Sequence, residues 1–432
     1  MRPHSGHVVM WLGILLTGTL LTGCTRGDLV ASIHSRDAGL SDVGDDSPPT
    51  DAGTSDGGTP PDSGTPSDSG TPPGDWSTYC DGQGPPIIVG DTVSGTQVCG
   101  GRLAEQTFRQ ALCTCEGLAL SAPMETDAFR SASGPYQPGG QGGDVSVNGA
   151  FFANDSVTVG GTLRVGGTGG IQLARTLSVG GALQNSGPLT GSAATASIAA
   201  DARVRGDVAL SSITVGGILT VPPEYTLGPA QAAGVRREPV DPITPCACDA
   251  ASQVDVAALI THHAGDNDNA AISLDAAALE SISGERTLEL PCGRFFLTSI
   301  TGTGRATLTI RARTALFIQD GVDLGEGLTV DVQPPGELDL FIGGRVSVAG
   351  PLLLGSTAMP SRVRVYVTRS TVLALSAGST LAGNLYAPGA YLSTSGDADV
   401  YGSIFVRHLE AAGPLRFHYD ADVLEAGAAC PP

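Results

Sequence analysis

The sequence predicts a mainly β protein, a β-helix (solenoid) of stacked short strands with one or two short helices. A β-sandwich is the alternative arrangement. Three observations carry the prediction. Glycine is twice as common as usual, at 61 of 432 residues. Aromatic residues make up only 5% and charged residues 15%. An apolar-x-Gly-x-apolar unit also recurs along the chain, and stacked short strands need just such a unit. All 23 basic residues are arginine. The absence of lysine excludes a Gly-Lys-Ser/Thr phosphate loop, a Schiff-base lysine and a Ser-x-x-Lys hydrolase. The net charge of -20 leaves no basic footprint for nucleic acid.

In chain order, residues 1–23 read as a secretory signal. Arg2 precedes an apolar run, Val8 to Leu21, that is too short for a bilayer span of ~20 residues. The following Leu21-Thr22-Gly23-Cys24 resembles the lipobox of bacterial lipoproteins. That resemblance implies acylation of Cys24, a membrane anchor, and a place at the outer membrane or cell surface. Residues 24–76 read as a disordered tether of Asp, Pro, Gly, Ser and Thr. Ten aspartates and two arginines fall between residues 25 and 75, and nothing there offsets the entropy of ordering.

Eight cysteines remain after Cys24: Cys80, Cys99, Cys113, Cys115, Cys246, Cys248, Cys292 and Cys430. An even number in an exported chain points to disulfides, whose pairing the spacing leaves open. The Cys-x-Cys spacing fits neither zinc ribbons nor thioredoxin-like centres. Residues 77–140 read as a Cys-rich cap with a short helix over Arg102–Leu112, placed to cover an open solenoid end.

Residues 141–228 read as the first part of the β-helix. Val147-Asn148-Gly149-Ala150-Phe151, Val159-Gly160-Gly161-Thr162-Leu163 and Val179-Gly180-Gly181-Ala182-Leu183 carry the unit. Alternation turns the apolar residues to one face, and glycine permits a sharp bend or a positive φ. Residues 229–285 read as a connector with a short helix over Asp255–His263. Residues 286–426 read as the second part of the β-helix, and 427–432 as a tail. In Val363-Arg364-Val365-Tyr366-Val367, the apolar residues face one way and Arg364 and Tyr366 the other.

Four polar groups are candidates for chemistry. His262-His263 with Asp266 and Asp268 lacks the glycine and distal Glu of a calcium loop. His418-Tyr419-Asp420 has no nucleophile beside it. Asp320/Asp323 and Asp397/Asp399 are the closest carboxylate pairs, and Asp397/Asp399 has no basic neighbour in sequence. A packing or surface role is expected of all four, with no metal, no cofactor and no catalytic residue.

Leu290-Pro291-Cys292-Gly293-Arg294-Phe295-Phe296-Leu297, Gly383-Asn384-Leu385-Tyr386-Ala387-Pro388 and Phe417-His418-Tyr419-Asp420 resemble an uncharacterised bacterial exported domain. Relatives of that domain occur in lipoproteins and pilus-associated proteins. The Gly-Asn-Leu-Tyr-Ala-Pro stretch also resembles bactofilin-like polymer-forming β-helices. The resemblance spans residues 77–426 and implies a right-handed parallel β-helix without catalysis. The expected function is a lipid-anchored structural or adhesive envelope protein that presents a disulfide-stapled β-helix. Its expected partners are a surface polysaccharide, a pilus or an envelope protein, and nucleic acid is not among them. A polysaccharide lyase or hydrolase and a self-associating scaffold are the alternatives.

Overall fold

The computed structural model describes residues 80, 82–368, 372–375 and 379–431. The expected signal, Cys24 and the tether lie outside the described residues. The chain is mainly β and forms a parallel β-solenoid of about 13 turns. Each coil has three faces, here called A, B and C. In one coil these are the strands Val145–Val147, Phe151–Ala153 and Val157–Val159. Each strand presents two inward apolar side chains and one outward residue, as period-2 alternation requires. Leu177 pairs with Val157, one coil and twenty residues earlier, and Leu163 pairs with Val145. The core is therefore a set of apolar columns running along the axis.

The coils do not stack in sequence order. Glu285–Leu290 belongs to the lowest coil, and the chain climbs from there to Leu415–Asp420. Leu415–Asp420 then pairs in parallel with Met124–Phe129, while Ile404–Ala411 pairs with Leu112–Leu120. From Leu112 the chain climbs again to Ala230–Arg236 at the top. The two strand blocks form one rod, with the N-terminal block on top of the C-terminal block. The seam between them joins strands nearly 300 residues apart in sequence.

Residues 77–140 are consequently not an end cap. Their segment 112–129 is a complete coil in the middle of the rod. The helix α1 spans Gly100–Thr107 rather than reaching Leu112, and it packs on the C-terminal 3-10 segment Ala421–Ala429. The physical reason is that Leu112 and Leu118 are fully buried, and strand pairing on both sides seals them better than a helix face would.

The connector returns from the top of the rod to the bottom over face A. Ile243 donates its N–H to Ser186 Oγ at 2.9 Å, and Cys246 exchanges two hydrogen bonds with the Asn148 side chain. Val254 donates to the Tyr386 hydroxyl at 3.1 Å. The helix α2, Val256–His263, is capped by Asp255, which accepts from Ala258 N–H. Asn269 finally binds the backbone of Phe296 on the lowest coil.

Beneath this strap lies one outward column of face A. Phe296, Phe317, Phe341, Tyr366, Tyr386, Phe405 and Cys113 occupy it in register. The Phe317–Phe341 and Phe341–Tyr366 rings stack at 4.8 and 4.9 Å. Such pairs contribute ~0.5–1.5 kcal/mol each beyond their area.

Four disulfides fix the segments that are not coils. Cys113–Cys246 and Cys115–Cys248 rivet the strap to the middle coil. Cys80–Cys292 ties the N-terminal segment to the lowest coil, and Cys99–Cys430 joins it to the C-terminal tail.

The corner glycines serve in two ways: Gly170, Gly321 and Gly402 have the expected positive φ, whereas others are fixed by close approach of the next coil. Gly160 and Gly180 do not have positive φ. Coil stacking brings backbone against backbone there: a Cβ on Gly180 would lie 2.5 Å from the Gly160 oxygen. Gly149 is tighter still, with the Glu116 carbonyl oxygen 1.1 Å from where its Cβ would sit. Gly149→Val should therefore lower stability by ~1–3 kcal/mol or more, as overpacking does. Gly234→Ala, with no atom within 4 Å of the added methyl, should change it by less than ~0.5 kcal/mol. Urea denaturation of both variants checks the pair.

Candidate functional site at the seam

The seam gathers polar and aromatic side chains on the outward side of face C. Register places Tyr401, His418 and Asp127 in one column and Asp399, Arg416 and Glu125 in the next. The loop after Met124–Phe129 lays Tyr136 over them. Its ring stands 4.1 Å from that of His418 and 5.5 Å from that of Tyr401. Its hydroxyl donates to Asp127 Oδ2 at 2.7 Å. His418 Nδ1 meets Asp127 Oδ1 at 2.9 Å, and its Nε2 lies 4.0 Å from Asp399. Arg416 holds Asp399 in a two-pronged ion pair at 2.5 and 3.3 Å.

The electrostatics follow from this wiring. Burial pushes the Asp127 carboxyl up, but bonds from His418, Tyr136 and the Gly139 N–H together hold it below the ordinary carboxylate value. Burial first, then the Asp127 carboxylate, raises the Tyr136 phenol far above its usual value. Burial and Asp399 raise Tyr401. The Asp399 bond raises Arg416. All four charged or phenolic groups therefore keep their ordinary protonation at neutral pH.

The sequence-predicted groups are placed as follows. His418 and Asp420 do not meet: Asp420 accepts instead from the N–H groups of Ser131, Ser361 and Asp422. Tyr419 donates to the Phe108 carbonyl at 2.7 Å. Asp397 is exposed, while Asp399 has the basic partner that its sequence neighbours lack, Arg416 from the next coil. Asp323 pairs with Arg345 at 3.3 Å on the surface. Asp268 accepts from the Arg294 N–H.

His262, His263 and Asp266 bring their ligand atoms within 4.8 Å of one another. His263 is nevertheless committed to the fold. Its ring is fully buried and stacks on Phe317 at 4.2 Å. Gly90 N–H donates to Nε2 at 3.0 Å, so Nδ1 carries the proton and donates to the Asp266 carbonyl at 2.7 Å. Both nitrogens are spent, and a metal would have to displace one of these bonds.

One buried group escaped the sequence reading. Arg364 and Asp339 pair beneath α1 at 2.6 and 3.2 Å, with Glu337 3.3 Å from the same guanidinium. Burial raises the Asp339 carboxyl against the opposing pull of Arg364. A Cβ on Gly100 would strike Asp339 at 2.3 Å, which explains the glycine that starts the helix. The alternation of residues 363–367 placed Arg364 outward, but the covering helix comes from a distant segment.

The fold and site define a strap-bound, disulfide-stapled β-solenoid with a polar seam. Residues 249–425, covering most of the strap and the lower half of the rod, match the model of a domain of unknown function (DUF7305). No curated protein and no solved structure matches the chain.

Two outcomes check this geometry. Arg364→Met strands a buried carboxylate and should cost ~3–5 kcal/mol in urea denaturation. Burial lowers the His263 value, so below ~6.5 the unfolded chain binds a proton that the folded chain refuses. Stability should therefore fall as pH drops from 7.5 to 5, and His263→Gln should flatten that slope.

Proposed function

We propose that the chain is an exported envelope protein, anchored through acylated Cys24 at the outer membrane or cell surface. Its solenoid then acts as a non-catalytic contact module for a surface polysaccharide, a pilus or another envelope protein. The observation that carries this reading is the set of four disulfides, which ties the N-terminal segment and the strap to the coils and joins the N-terminal segment to the C-terminal tail. Bridges of that number belong to an oxidising compartment. They also keep a long contact surface rigid, which reduces the entropy lost on binding.

The seam supports contact without chemistry. Glycoside hydrolysis needs a carboxyl raised enough to act as an acid. Asp127 is lowered, and Asp399 is held by Arg416. Half-buried Tyr136 and Tyr401, set among Asp, Arg and Glu side chains, suit the apolar faces and hydroxyls of a sugar chain.

A second reading, end-to-end self-association, has its own observation. Among the described residues, the top strand Ala230–Arg236 is paired along one edge only. A free strand edge is a template for another chain.

Mass spectrometry of the mature protein should find an acylated N-terminal Cys24. An unmodified start beyond it would refute the anchor. In binding assays on envelope polysaccharides, the Tyr136→Ala/Tyr401→Ala variant should bind about tenfold more weakly, which equals ~1.4 kcal/mol. Release of oligosaccharides by the wild type would overturn the non-catalytic reading.

A further inference from the structure

The lower half of the rod contains an apolar cavity of about 850 Å³. It lies inside the coils. Leu340, Val365 and Leu385, one inward column of face A, form one wall. The cavity thus runs along the axis for at least three rungs, each ~4.8 Å from the next. It opens on face B. The strands Arg345–Val348 and Val372–Leu375 are neighbours on that face, but no pairing joins them among the described residues. Val346, Val348 and Leu373 are left half-exposed at the opening.

An apolar void of this size is too costly to stay empty, and water inside it would find few polar partners. The volume falls within the ~300–1,000 Å³ of small-molecule sites, and the elongated shape follows the stacked strands. Arg345 stands at the opening with Asp323 as its ion-pair partner, both largely exposed. An exposed pair of this kind exchanges readily for another anion.

We infer that the cavity binds a long-chain fatty acid, with its acyl chain along the Leu340–Val365–Leu385 wall and its carboxylate at Arg345. Each methylene then leaves water for an apolar wall, and the head group stays in solvent beside a guanidinium. This binding is independent of the seam and of the contact role proposed above.

The test uses the full chain and cis-parinaric acid, a fluorescent fatty acid. The wild type should give saturable fluorescence at one equivalent, displaced by oleate. Val348→Trp, which fills the opening, should weaken binding at least tenfold while retaining the circular dichroism spectrum of the wild type. Arg345→Gln, an exposed change that spares the core, should weaken oleate several-fold and leave uncharged hexadecanol unchanged. No saturable binding by the wild type would overturn the inference. So would equal binding by a folded Val348→Trp, or binding of phosphatidylglycerol vesicles in place of the free acid.

Discussion

The parallel pairing of Leu415–Asp420 with Met124–Phe129 is the contact on which the rest of the molecule depends. Without it there would be two short solenoids, each with an open lower and upper coil. With it there is one core and one pair of ends. The strap follows from the same contact. Because the N-terminal block sits on top, the chain leaving Arg236 must travel back down the rod before the lower block can begin. That long return covers the aromatic column, which would otherwise face water. Loop closure over such distances is entropically unfavourable, although the penalty grows only slowly with length. The disulfides at Cys113–Cys246 and Cys115–Cys248 reduce it by joining the strap to the coil beside the seam.

Side-chain chemistry changes along face A in step with this covering. The outward column is aromatic from Phe296 to Phe405, turns to Cys113 at the seam, and becomes Ser146, Arg164, Gln184 and Arg203 above it. The aromatic stretch coincides with the helices and tail that lie over it. The buried Arg364–Asp339 pair sits in the same covered stretch. Desolvating two charges consumes much of their mutual attraction, so the intact pair adds little net stability even though removing one partner strands a buried charge.

Much of the rod was legible in single strands. The alternation in residues 145–183 and 363–367 predicted which side chains face inward, and Asp255 marked the start of α2 to within one residue. The cysteine count allowed up to four bridges, and four form among the described residues. Stacking order was not legible, because alternation describes one strand and says nothing about which distant strand lies beside it. The seam site was hidden for the same reason. His418 and Asp127 are 291 residues apart, and Asp399 meets Arg416 only because one coil separates them. Glycine was read through its torsional freedom, whereas at Gly149 and Gly180 the decisive fact is the backbone of the coil below.

Cys80–Cys292 gives the rod a defined mechanical load path. A pull on the chain upstream of Cys80 enters the lowest coil through a covalent bond, and bypasses residues 82–99. Cys99–Cys430, beyond that point, holds the segment before α1 to the tail that packs on it, so this segment stays in place without bearing the load. The coils are then loaded through many parallel strand ladders at once, so the rod resists tension as a single unit rather than unravelling from its N-terminal edge.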